Sequence, residues 1–258
     1  MDFLYSPWLA PLYVLLAYLI GSLSFAVIVS RVMGLSDPRS YGSGNPGATN
    51  VLRSGNKKAA VLTLLLDALK GYLPVLAAVL LRERLGLGDF TLGLIGLAAF
   101  VGHVWPVFFR FQGGKGVATA AGVLLALNPW LGAAVLGTWL VVAWLSRYSS
   151  LAALAAAALA PFYQLLLWEP SAVAMPMIVM SLVLIWRHEP NIRKLLAGTE
   201  SKIGQKAGAA PVVEPQHPKS HAHEAPHRDH PHRHHGAHPG KPSPSKSSTH
   251  HAQRKGKH

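Results

Sequence analysis

The chain contains no cysteine, which rules out a thiol nucleophile, a disulfide framework and a thiolate metal site. It also lacks a histidine followed five residues later by aspartate, the familiar acyltransferase pair, as well as a Gly-x-Ser-x-Gly elbow and a Walker A loop. Charge is scarce too: charged residues are 14% of the sequence and only 11 are acidic. So few carboxylates weigh against a two-carboxylate hydrolase or a magnesium-dependent kinase. A soluble protein would need polar faces along its helices, and the stretches 59–81 and 149–168 carry almost no charge.

What the sequence does have is hydrophobicity, at 50% of all residues. Apolar runs recur at about 8–33, 59–81, 90–109, 117–145, 149–168 and 171–187, several of them near the roughly 20 residues a helix needs to cross a bilayer. The first run follows Asp2 rather than a basic segment and is too long for a signal peptide, so it reads as a retained span.

Lys and Arg between the spans set the orientation. Arg31, Arg39, Arg53, Lys57 and Lys58 crowd the first large loop, whereas 82–89 has only Arg82 and Arg84, offset by Glu83 and Asp89. The first loop is therefore inside. The run 117–145 is interrupted by Asn128-Pro129, a helix-breaking pair. Read as one crossing, it would strand Arg187, Arg193, Lys194 and the basic C-terminal region outside; read as two pieces, it returns them to the cytoplasm. The first piece, 117–127, is only about 16 Å long at 1.5 Å per residue, a short crossing or one arm of a re-entrant hairpin. The expected fold is an all-α integral membrane protein with about seven transmembrane helices, N-terminus outside and C-terminus cytoplasmic. Residues 1–200 form the membrane domain. A His/Pro/Lys-rich tail, 201–258, holds every histidine except His103 and His188 and has the composition of disorder; its histidines could hold a metal only loosely.

Most of the polar residues suited to chemistry fall on the cytoplasmic segments of this map. Gly42, Ser43, Gly44, Asn45 and Asn50, followed by Arg53, make a glycine-dense loop whose backbone N–H groups can wrap a phosphate that the arginine pairs with. Gly113, Gly114 and Lys115 repeat the arrangement. Asp67 and Lys70 lie one helical turn apart inside a span, as a functional charge pair or a brace beneath the first loop. His103, before Pro106, is expected to bond backbone groups freed by the proline and to hold the second loop in place. Ser150, beside Ser149, is an N-cap or an oxyanion donor. His188 and Asn191 are brought together by a turn at Pro190.

These residues compose four ordered motifs. Gly42-Ser-Gly-Asn-x-Gly-Ala-Thr-Asn50, Asp67-x-x-Lys-Gly71, Gly102-His-x-x-Pro-Val-Phe108 running into Gly113-Gly-Lys-Gly-Val-Ala-Thr119, and His188-x-x-Asn191 before Gly198-Thr199-Glu200 resemble the bacterial acyl-phosphate:glycerol-3-phosphate acyltransferases, the PlsY family, over about residues 10–204. The resemblance implies transfer of a fatty acyl group from acyl phosphate to the 1-hydroxyl of sn-glycerol 3-phosphate at the cytoplasmic face of the bacterial inner membrane. It implies catalytic roles for Ser43, His188 and Asn191, and substrate binding by Gly42, Gly44, Asn45, Asn50, Arg53, Gly113, Gly114, Lys115 and Ser150. Asp67, Lys70 and His103 support them. Gln112 stands where many relatives have a basic residue. The implied partners are acyl phosphate, glycerol 3-phosphate and membrane lipid, with no nucleic acid, cofactor or metal.

The chemistry suits this inventory, because an activated mixed anhydride needs orientation and charge neutralisation more than a strong base. Two rivals are an organophosphate transporter and a non-catalytic membrane anchor. The first predicts broken helices around an anion site at mid-membrane and inverted halves; the second leaves the polar motifs without a purpose.

Overall fold

A computed structural model describes residues 9–167 and 171–205. Among them are ten α-helices and no strand: α1 (Leu9–Gly21), α2 (Phe25–Val32), α3 (Ala48–Leu52), α4 (Lys57–Leu85), α5 (Asp89–Val104), α6 (Val117–Leu127), α7 (Pro129–Ser146), α8 (Ser149–Leu167), α9 (Ala174–Arg187) and α10 (Glu189–Leu196). The expected all-helical membrane architecture is present. The segments Lys57–Leu85, Asp89–Phe109, Pro129–Ser146 and Ser149–Leu166 are long and apolar enough to cross a bilayer, and α1 with α2 makes a fifth candidate bent by 41°. α6 and α9 are shorter apolar helices.

Local sequence explains the breaks. The run 8–33, read above as one span, is two helices, because Ser22, Leu23 and Ser24 interrupt the ladder and Ser22 Oγ turns back to donate to the Tyr18 carbonyl at 2.8 Å. Asn128 ends α6 and caps α7, its side chain accepting from the N–H groups of Trp130 and Leu131, while Pro129 supplies a first helical residue that needs no hydrogen-bond acceptor. The expected division at Pro129 is thus a pair of helices joined by one capping residue. α3 and α10, short helices against the polar loops, were not anticipated.

α5 is the centre of the bundle. More than half of its apolar window is buried, against 22 to 39% for the other three long spans. Ile95, Ala99, Phe100 and Val104 on α5 pack with Val75, Val123 and Ala17 from α4, α6 and α1. The outer faces stay greasy. Leu80, Trp130, Trp144 and Leu145 are each more than two-thirds exposed, as side chains facing lipid would be. Trp130 and Trp144 sit near opposite ends of α7, about 21 Å apart at 1.5 Å per residue, the placement of interfacial aromatics.

α4 and α6 approach until backbone meets backbone, which only glycine allows. A Cβ at Gly122 would lie 2.0 Å from the Ala68 carbonyl oxygen, and one at Gly71 would lie 2.3 Å from that of Thr119. In a membrane, where lipid tails compete for apolar contact, such small-residue approaches supply the packing. They also bring the span bearing Asp67 against the start of α6, directly after the second glycine loop.

Candidate active site

The loop from Pro38 to Asn50 is wound around one amide. Asn50, 2% exposed, donates from Nδ2 to the carbonyls of Pro38 at 2.6 Å and Tyr41 at 3.1 Å, while its Oδ1 accepts from the Ser43 N–H at 3.0 Å. Gly42 turns the chain at φ 60°, where a Cβ would be 2.3 Å from Asn50 Oδ1. Asn50 therefore shapes the loop that presents Ser43, with both ends of its amide already engaged. Arg53 follows α3 and lines the same cavity; its guanidinium makes no ion pair or hydrogen bond among the described residues.

Lys115 leaves the second glycine loop and donates from Nζ to Asn191 Oδ1 at 2.5 Å. Asn191 in turn donates from Nδ2 to Glu200 Oε1 at 2.7 Å, and Ser150 Oγ donates to the same oxygen at 2.7 Å. One carboxylate thus joins α8, α10 and, through Asn191, the lysine. Glu200 belonged to the motif quoted above without a role of its own. Its partners are 50 and 9 residues away in sequence, so spacing could not have exposed it; being an acidic residue amid a basic stretch was the available signal. Ser150 is no side-chain cap, since its hydroxyl goes to Glu200. The chain continues to pack beyond residue 200, with Ile203 N–H donating to the Arg147 carbonyl at 2.8 Å. Residues 206–258, most of the predicted tail, lie outside the described residues.

His188 caps the end of α9 and is 2% exposed. Its Nδ1 is 2.8 Å from the Leu184 carbonyl, one of the acceptors left open where a helix ends. A carbonyl can only accept, so Nδ1 carries the proton and Nε2 keeps its lone pair. Burial, then the neighbouring Lys115 cation, pushes the His188 pKa down to about 4. Burial likewise pushes Lys115 down to about 8, with Glu200 acting against the fall and Arg53 and Arg187 adding to it. At neutral pH the site holds a cationic lysine and a neutral histidine. Arg187, first noted only for topology, donates to the Gly113 and Gly114 carbonyls at 3.3 and 3.4 Å and so ties α9 to the second loop.

Two cavities share this junction. One, about 280 Å³, runs from Ser43, Arg53 and Lys115 down between α6, α7, α8 and α9 past Ala153, Ala157 and Ala160. The other, about 520 Å³, opens over Lys115, Arg187, Arg193 and Lys194. Ser43, Asn45, Lys115 and Asn191 line both. Gly44 and Gly113 line only the outer cavity, while Asn50, Ser150 and His188 line only the inner one. Gly42 and Gly114 line neither. Asp67 and His103 reach the inner cavity wall, and Lys70 is buried behind them. The His103 ring does not bond backbone freed by Pro106: Nδ1 meets Thr119 Oγ1 at 3.2 Å and lies 3.6 Å from Asp67 Oδ1, while the His103 carbonyl accepts from the Gly114 N–H at 3.2 Å. The second loop is held by that carbonyl.

Residues 11–198 match the glycerol-3-phosphate acyltransferase family model. The chain belongs to the glycerol-3-phosphate acyltransferase family. It is 62% identical over 199 residues to the glycerol-3-phosphate acyltransferase of Paraburkholderia phytofirmans, covering 77% of this chain and 93% of that protein. It is 65% identical over 190 residues to that of Ralstonia nicotianae, covering 74% and 92%. Among solved structures, the glycerol 3-phosphate form of PlsY, an integral membrane glycerol 3-phosphate acyltransferase, aligns with a TM-score of 0.71 at 41% identity, over 76% of this chain and 96% of that one. The lysophosphatidic acid form of PlsY gives 0.69 at 40% identity, over 75% and 94%. This family member is accordingly a multi-pass helical membrane protein, and the matched span contains every motif residue except Glu200 and its neighbour Thr199.

Proposed function

We propose that this chain transfers a fatty acyl group from acyl phosphate to the 1-hydroxyl of sn-glycerol 3-phosphate, forming 1-acyl-glycerol 3-phosphate and inorganic phosphate, the first acylation of phospholipid synthesis. The observation that carries the reading is the meeting of an apolar cavity with a cationic one at Ser43, Asn45, Lys115 and Asn191. An amphiphile with an acyl chain and a phosphate head fits such a junction, chain between the helices and head among the loops. The outer basic cavity suits a small, doubly charged acceptor.

In the reaction, the acceptor's 1-hydroxyl oxygen bonds to the acyl carbon and the bond from that carbon to the phosphate oxygen breaks. The hydroxyl proton leaves with the departing phosphate. Arg53 and Lys115 hold phosphate oxygens by charge-assisted hydrogen bonds, Ser43 and Asn191 fix the heads, and His188 Nε2 accepts a hydrogen bond from the attacking hydroxyl. Transfer is direct, without an acyl-enzyme.

The donor is tested with purified full-length protein supplied with glycerol 3-phosphate. Palmitoyl phosphate should give inorganic phosphate and lysophosphatidate in equal amounts, and palmitoyl-CoA little of either. Robust transfer from the thioester would remove the acyl-phosphate reading; saturable organophosphate uptake into proteoliposomes without any transfer would favour a transporter.

The site lies on the cytoplasmic face of the bacterial inner membrane in this reading, with about seven crossings and the N-terminus outside. The catalytic domain spans residues 1–200, with Glu200 at its edge, and 201–258 is an appended tail. Single cysteines at the exposed positions 43, 112 and 194 are unique labels in a chain without any. An impermeant thiol reagent should reach them only after cells are permeabilised. Labelling of two or more in intact cells would invert the map.

A further inference from the structure

The mechanism leaves one buried charge pair unused. Lys70 and Asp67 are 3% and 2% exposed, with Nζ 2.8 Å from Asp67 Oδ1. The lysine's hydrogen bond goes elsewhere, to the Leu23 carbonyl at 2.6 Å, in the break between α1 and α2. Asp67 Oδ1 is left without a well-aimed donor. An ion pair inside a membrane helix is costly to desolvate and stabilises a fold no better than apolar packing would. Its use must lie in what it aligns.

The chain of contacts leads to the second glycine loop. Thr119 Oγ1 donates to the main-chain carbonyl of Asp67 at 2.9 Å, so it can only accept from His103 Nδ1, 3.2 Å away. That fixes the His103 tautomer and ring plane, with the Asp67 carboxylate 3.6 Å off favouring the N–H at Nδ1. The other edge of the ring abuts Gly114: a Cβ there would sit 2.3 Å from His103 Nε2 and 3.0 Å from the Pro46 carbonyl of the first loop. Gly114 is thus clamped between the histidine and the first loop, one residue before Lys115.

We propose that the Asp67–Lys70 pair, whose carboxylate lies 3.6 Å from His103 Nδ1, and Thr119, whose hydroxyl bridges that nitrogen to the main-chain carbonyl of Asp67, are positioning residues that hold the His103 ring against Gly114 and so set the Gly113–Lys115 loop for the phosphate that Lys115 grips. The inference rests on the proposed reading of Lys115 as a phosphate ligand. Thr119→Val removes the linking hydroxyl and leaves the ion pair in place; Thr119→Ser keeps the hydroxyl. In full-length protein, Thr119→Val should raise about five- to tenfold the same KM, for palmitoyl phosphate or for glycerol 3-phosphate, that Lys115→Met raises, the scale of one lost hydrogen bond. The other KM should stay within twofold, and Thr119→Ser should restore both. Asp67→Asn combined with Lys70→Met, which leaves no lone buried charge, should shift the same constant. A brace with a purely structural role would lower thermal stability and active fraction without separating the two constants, and that outcome overturns the proposal, as does an unchanged KM in Thr119→Val. If Lys115→Met alters neither KM, the phosphate reading fails first, and independently.

Discussion

Lys115→Met should lower kcat/KM by about 10²- to 10³-fold, the loss seen when one preorganised donor to a developing oxyanion is removed. Three observations support that role: Lys115 lines both cavities, it is half-buried, and Asn191 holds its ammonium at the junction. Its pKa of about 8 gives the prediction a second readout. The cation is the useful form, present below about 8 and lost above it, so the wild-type kcat/KM should fall as pH rises through about 8 in the free enzyme. A bound phosphate favours the charged form and moves the pKa up, so the limb in kcat should lie at higher pH than the limb in kcat/KM. Lys115→Met should lose the alkaline limb altogether. Lys115→Arg, charged throughout this range, should lose it while keeping more activity. An alkaline limb at about 8 that survives in Lys115→Met would assign it to another group.

The two kinds of information in the sequence were not equally open to reading. Apolar runs, Pro129 and the Lys and Arg of the loops exposed the helices and the break at Asn128, because the bilayer imposes a length and a polarity that show in one dimension. The break at Leu23 did not show: its serines are compatible with a helix, and what stabilises the kink is Lys70, 47 residues away. The glycine loops were legible as tight turns, since positive φ and close approach leave a compositional mark. The interior of the site was less so. That Asn50 shapes a loop, that Glu200 collects Ser150 and Asn191, and that Arg187 ties α9 to Gly113 and Gly114 are facts of tertiary packing with no local signature.

Glu200 also offsets part of the positive charge gathered at the junction. Arg53, Arg187 and Lys194 disfavour the Lys115 cation, and the Glu200 carboxylate opposes that effect. It reaches the lysine through Asn191 rather than directly, so Asn191 is the one acceptor of the ammonium among the described residues.

His188→Ala should lower kcat by about 10²-fold, the lower end of what a positioned acid–base group contributes, with both KM values changed by less than threefold. The argument begins at the end of α9. The Leu184 carbonyl holds Nδ1–H, so the imidazole offers the cavity an acceptor rather than a donor. A pKa of about 4 keeps it neutral at physiological pH and makes it too weak a base to hold the proton. It can take up the hydroxyl's single proton at Nε2 as the oxygen bonds to the acyl carbon and pass it on to the leaving phosphate, whose basicity rises as the anhydride bond breaks. That is an interaction of the transition state, which is why the loss belongs in kcat rather than in binding. Arg53→Ala offers the contrast: a phosphate-holding guanidinium acts in ground and transition states alike, so its removal should raise a KM as well. In His188→Ala the alkaline limb near 8 should persist, because Lys115 is untouched. A variant that retains kcat within threefold would mean that the hydroxyl is oriented by Ser43 or by a substrate phosphate alone, and that His188 serves only to close the end of its helix.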